Sequence, residues 1–192
     1  INFILSPAFS LLPLHVKSYF GGTAQDYGLA EGIFGVGMLA GGLLLGVWGG
    51  FKRKIITSMM GLLIMGSSVI LLGLVPPTAF TYVLVLMPIL GVTQVLTNGP
   101  LGAILQATVP PDMQGRVLAV VNSLASIMTP IGLAIAGPFA DAFGVRYWYI
   151  AGGIVTVLMG ILGFYLPSVR YVEGRNLEEP VPAPAPAVET AD

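Results

Sequence analysis

The sequence predicts an all-α integral membrane protein with six transmembrane helices. Three observations predict it. Apolar runs of span length recur through a chain of 192 residues that is 55% hydrophobic and only 9% charged. A helix needs about 20 residues at about 1.5 Å each to cross a bilayer, and each run is that long. The only cluster of like charge, Lys52-Arg53-Lys54, falls between two of these runs. Polar residues inside the runs recur at helical spacing, on single faces.

Composition narrows the function classes. Mean hydropathy is +0.89, which does not fit a soluble domain with buried helices. A net charge of -1 offers no electrostatic basis for a nucleic-acid partner. With no cysteine there is no disulfide frame or thiolate metal site, and one histidine, His15, cannot build a histidine-rich site. No metal and no cofactor is expected. The chain starts at Ile1 inside an apolar run, without an n-region or a cleavage site, and reads as part of a longer chain.

The spans fall at 1–20, 28–51, 55–75, 79–105, 117–140 and 147–167. They form one membrane domain over residues 1–170, followed by a Pro-rich tail at 171–192. The run Pro180–Pro186 cannot form a helix, and extended disorder is expected there. Basic residues in short loops stay on the cytoplasmic side. Lys52, Arg53, Lys54, Arg116, Arg170 and Arg175 then lie inside, and only Lys17 and Arg146 outside. Both ends of the chain are therefore cytoplasmic. The loops 51–54 and 106–116 face the same side, and the turns 21–27, 76–78 and 141–146 face out.

The spans differ in polarity. The first carries Asn2, Ser6 and Ser10 four apart, with Pro7 and Pro13 bending or breaking it. The fourth carries Gln94 and Asn98 on one face with Thr97 beside them, and the fifth carries Asn122, Ser126 and Thr129. The third and sixth have apolar centres and are expected to face lipid. Counted in threes, each half runs from a polar-faced helix to a lipid-facing one, the pattern of an inverted 3+3 repeat around a shared cavity. Polar groups turned to lipid are unsatisfied, so Asn2, Ser6, Gln94, Asn98, Asn122, Ser126 and Thr129 are the candidate cavity lining. Met87, Leu101 and Met128 would be its apolar walls. The fourth span is expected to bend or break at Asn98-Gly99-Pro100, because Pro100 has no amide for the carbonyl of Leu96.

In the second span Gly28, Gly32, Gly35, Gly42, Gly46 and Gly49 make one smooth stripe, interrupted by Leu39. Small residues let membrane helices approach closely, so the stripe is expected to be close-packed, either as a fixed contact or as a sliding one. Glu31, about one turn inside this span, and Asp26 are the candidate coupling residues, since an intramembrane carboxylate is the default proton carrier. The alternative is a carboxylate in interfacial water or paired with Lys17. No charge lies in mid-span, so if the protein is proton-coupled its main carboxylate is expected outside this chain. Asp112, followed by Gln114 and Arg116, suits the start of the fifth helix or a gating contact. His15, near the outer end, reads as interfacial, and Trp48, Trp148, Tyr147 and Tyr149 read as an aromatic belt. Gly66-Ser67-Ser68 has no histidine or carboxylate placed to activate a serine, so no enzyme is expected.

Three stretches carry a family resemblance. The run from Gly42 to Lys54 resembles the glycine-rich helix and basic loop in the C-terminal half of major facilitator superfamily transporters. Val109-Pro110-Pro111-Asp112-Met113-Gln114-Gly115-Arg116 resembles the loop before the fifth helix of that half in the drug-efflux branch that includes macrolide exporters. Gly137-Pro138-Phe139-Ala140-Asp141-Ala142-Phe143-Gly144-Val145-Arg146 resembles the end of that helix. The superfamily's loop signature lacks its acidic member after the second span, where Gly50 stands near its place. Its glycine, aspartate, glycine and arginine fit Gly137, Asp141, Gly144 and Arg146 instead, on the opposite side of the membrane.

The resemblance implies half of a twelve-helix fold in a bacterial inner membrane, with the N-terminal six-helix half as partner. It implies secondary-active export of small amphipathic drugs or metabolites by alternating access, driven by proton antiport and conferring antibiotic resistance. Lys52, Arg53, Lys54, Asp112, Arg116, Asp141 and Arg146 become loop or gate candidates. The competing reading is a six-span homo-oligomeric channel or assembly module.

Overall fold

The computed structural model describes residues 2–165, and the tail with its Pro180–Pro186 run lies outside them. The described residues form seven helices: α1 (Asn2–Ser10), α2 (Leu12–Ser18), α3 (Ala24–Trp48), α4 (Lys54–Leu74), α5 (Phe80–Thr108), α6 (Pro111–Phe143) and α7 (Val145–Tyr165). The last five are long and apolar enough to cross a membrane. The chain is an all-α, multi-pass membrane bundle. The first predicted span is two short helices. Pro7 lies inside α1 and Pro13 in the first turn of α2, and the axis is interrupted at Leu11 between them.

Local chemistry sets the other ends. Thr23 and Asp26 form a reciprocal capping box at the start of α3, and Gly49, at φ 73°, ends it in the left-handed conformation. The Phe51 amide donates to Thr57 Oγ1 at 2.9 Å, tying the basic turn to α4.

Of the bend or break expected at Asn98-Gly99-Pro100, the break does not occur. α5 stays helical through Pro88 and Pro100. One lost hydrogen bond is tolerated when protein neighbours shield the backbone, and Pro100 is buried. The predicted loop 106–116 shrinks to Val109 and Pro110, because Gln106 to Thr108 complete α5 and Pro111 opens α6. Gln114 Nε2 clamps this corner, donating to the carbonyls of Gln106 at 2.8 Å and Val109 at 3.0 Å.

α4 sits in the middle, against α7 on one side and α5 on the other, with α3 beyond α5 and α1 against α6. It is the most enclosed of the long helices, whereas α6 is the least. The third span was expected to face lipid, and Met60, Ile64, Leu71 and Leu74 on it are exposed, but more than half of the helix is enclosed. Apolar side chains suit lipid and protein equally, and what decides is where glycines admit a neighbour. A β-carbon on Gly66 would lie 2.9 Å from the Val157 amide, and one on Gly73 2.8 Å from the Arg146 carbonyl. The α4–α7 contact exists because those β-carbons are absent.

The same rule shows which glycines of α3 are packed within this chain. Gly28, Gly32, Gly35, Gly42 and Gly46 have nothing within 4 Å of where a β-carbon would stand. The close-packed glycines are Gly37, under Pro88, and Gly41, whose β-carbon would lie 2.9 Å from Val92 Cα. The helix packs on α5 through a different edge from the one its spacing suggested.

Candidate functional site

A cleft of about 610 Å³ runs along the second half of α5. Gln94, Val95, Asn98, Gly99, Gly102, Ala103 and Gln106 line it from that helix, and Met38 closes it from α3. The register explains the lining. Gln94, Asn98, Gly102 and Gln106 follow at four-residue intervals, so three carboxamides and one gap share a face. None of the lining residues is charged. Asn98 Nδ2 donates to the backbone carbonyl of Gln94 at 2.9 Å, which holds its amide along the helix and leaves its oxygen free to accept. The cleft can thus give and take hydrogen bonds beside an apolar floor, the chemistry that suits an amphipathic ligand.

The other polar residues expected around it are elsewhere. Asn122 and Ser126 are exposed on α6, with Thr129 partly covered. α6 touches α5 only slightly, mostly pairing with α1 and α7. Asn2 is exposed and Ser6 partly buried on α1. Met87 is a buried core residue and not a wall, and neither Leu101 nor Met128 lines the cleft. Gln106 was missed because it was placed in a loop, although its four-residue register with Asn98 and Gly102 could have revealed it.

The charged candidates divide by role. The Asp26 carboxylate accepts from the Thr23 amide at 2.7 Å and the Thr23 hydroxyl at 2.8 Å, so it caps α3. Glu31 is half-buried on α3, within electrostatic reach of Tyr27 and Tyr149. Lys52, Arg53 and Lys54 are exposed at the α3–α4 turn. Asp112, in the first turn of α6, makes the favourable interaction with the helix dipole but no side-chain cap. Arg116 and Asp141 are exposed. The Arg146 guanidinium lies 5.8 Å from the Tyr19 ring centre and 5.6 Å from that of Tyr147.

Two of the expected belt aromatics are structural anchors instead. Trp148 Nε1 donates to the Ile4 carbonyl at 3.3 Å, and the Tyr149 hydroxyl donates to the Ala8 carbonyl at 2.6 Å. They fasten α1 to α7. Trp48 and Tyr147 remain exposed. His15 is fully buried within the bundle. Among the described residues, no group of three or more His, Cys, Asp or Glu is placed to hold a metal ion.

These features define a multi-pass helical membrane protein with an uncharged amphipathic cleft. The chain belongs to the Major Facilitator Superfamily, whose model matches residues 2–190. That family is one of transport proteins, not enzymes. The chain is 32% identical over 171 residues to macrolide efflux protein A of Streptococcus pyogenes, covering 89% of this chain and 42% of that protein. It is 34% identical over 131 residues to macrolide efflux protein A of Enterococcus faecalis, covering 68% of this chain and 41% of that protein. The multidrug efflux pump Tap of Mycolicibacterium fortuitum is 30% identical over 142 residues, 72% of this chain and 33% of the pump. The chain therefore spans less than half the length of the relatives it matches.

Proposed function

We propose that this chain is the C-terminal six-helix half of a secondary-active, proton-driven exporter of amphipathic molecules. The observation that carries the reading is the uncharged carboxamide cleft along α5. It lies in the half of α5 nearest the Lys52–Lys54 turn, because Thr97 packs on Gly61 near the start of α4. With that turn cytoplasmic, as its basic residues favour, the cleft opens where an exporter loads. Drug-efflux relatives support the substrate class, and the shortfall in length supports a complementary half.

The pairing of helices supports a 3+3 repeat. If α1 with α2 makes the first crossing, exchanging crossings one to three with four to six turns the α1–α6 contact into α5–α3 and leaves α4–α7 unchanged. The open glycine stripe of α3 and the bare face of α6 are then surfaces for the other half, which would complete the cavity with Asn122, Ser126 and Thr129. Sliding of that half over the stripe is compatible with alternating access.

The test is the transport of several substrates by Asn98→Ala and Asn98→Leu in the full-length protein. The relative rates for different substrates should change at equal protein level. A uniform fall that follows the amount of folded protein would overturn the cleft assignment.

A further inference from the structure

We propose that His15 carries a proton during the transport cycle. This rests on the transport reading above and adds a site that neither the cleft nor the carboxylates supply. His15 lies on α2, one turn after the interruption at Leu11, and is fully buried. Neither ring nitrogen has a hydrogen-bond partner. The Leu72 backbone carbonyl is the nearest acceptor and would favour a charged ring, but it does not reach full hydrogen-bonding geometry. The ring is caged by aromatics instead. Tyr19 stacks on it at 4.9 Å and 9°, Phe20 meets it edge-on at 5.0 Å, and Tyr149 lies at 4.7 Å.

A phenylalanine would fill this cage without stranding two polar atoms. Native proteins keep so few buried unsatisfied groups that one of this kind calls for an explanation. Imidazole is the side chain that gains or loses a proton most readily between about pH 5 and 8. The packing seen here suits only its neutral form. An imidazolium would have only the Leu72 backbone carbonyl as a near acceptor, against the loss of water on burial and with the positive Arg146 within electrostatic reach. Arg146 is itself strained for partners, because its Nε is buried without one.

The titratable surroundings are few. From α7 come Tyr149 and Arg146, from α2 itself the exposed Lys17, and from the residue that ends α2 Tyr19. α3 brings Tyr27 and Glu31 by way of Tyr149, while Asp26 is held by Thr23. α1 has no titratable side chain, α4 has only Lys54 at its far end, and α5 has only the exposed Tyr82. The cage also borders a small void among Leu12, Leu72 and Tyr149 whose lining is wholly apolar and offers a water no polar partners.

Proton uptake therefore needs the cage to open, and the α1–α2 interruption beside it is where the chain can bend. On opening, one ring nitrogen takes a single proton from cavity water. On reclosing from the other side of the membrane it returns that proton to water, and no other bond changes. Only the protonated ring favours the open cage, so proton occupancy and conformation are linked.

The experiment uses the full-length protein reconstituted in vesicles with a trapped pH dye, with ethidium as the transported probe. In the wild type, an imposed proton gradient should raise ethidium accumulation about tenfold, and ethidium should move protons. His15→Phe and His15→Gln should lose both the gradient effect and the pH dependence, yet still equilibrate ethidium down its own gradient. A merely structural histidine would not separate these readouts. Gradient-driven accumulation by His15→Phe at the wild-type level would overturn the assignment alone. A wild type that moves neither ethidium nor protons would overturn the transport reading and this assignment with it. A second measurement needs no variant. Diethyl pyrocarbonate should modify His15 of the wild-type protein only during turnover, and full protection under turnover would also overturn the proposal.

Discussion

Gly41 and Gly42 are neighbours in sequence with opposite surroundings. A side chain on Gly41 meets the backbone of Val92, whereas one on Gly42 meets nothing in this chain. Overpacking a filled contact costs about 1–3 kcal/mol. Gly41→Leu is therefore expected to reduce folded protein, read as the yield of monodisperse material in detergent. Gly42→Leu should leave that yield unchanged and lower transport, since its face is proposed to meet the other half. Equal yields from the two variants would show that α3 does not pack on α5 as described. Spacing could mark α3 as a packing helix, but it could not say which glycine edge was used. Glycines recur around most of that helix, and the choice is made by the shape of α5 at Pro88 and Val92. His15 shows a similar limit. A histidine near a span end reads as interfacial, and only the fold reveals that α2, α4 and α7 close over it.

The helix start of α3 separates a capping role from a coupling one. Asp26 receives two hydrogen bonds from Thr23 and returns the cap through its own amide. Removing such a cap costs about 0.5–2 kcal/mol. Asp26→Ala and Thr23→Ala are expected to lower the melting temperature by similar amounts and to leave the ratio of protons to substrate unchanged. A changed ratio in Asp26→Ala alone would restore its coupling role. Element positions were largely legible, because apolar runs bounded by Gly21-Gly22, the basic tripeptide and Pro76-Pro77 fix α3, α4 and the start of α5. The α5–α6 corner was not. Polar Gln106, Asp112, Gln114 and Arg116 look like a loop, yet Val109 and Pro110 alone make the turn and the clamp from Gln114 allows both helices to run to it.

At the scale of the molecule, the bundle is built around α4, with α3 and α6 left the most open of the long helices. The polar face of α5 was readable from Gln94 and Asn98, and it does line a cleft. The polar face of α6 was equally readable but does not share that cleft within this chain, because periodicity gives a face and not its partner. Whether α5 presents substrate to the cytoplasm is the central claim, and the chain's lack of cysteine gives a clean background for testing it within these residues. The direct measurement is labelling of Asn98→Cys in the full-length protein by a membrane-impermeant maleimide, with reagent supplied to one membrane face at a time. The account predicts labelling from the cytoplasmic face that slows when ethidium is present. Labelling confined to the outer face, or a cytoplasmic rate indifferent to ethidium, would contradict it.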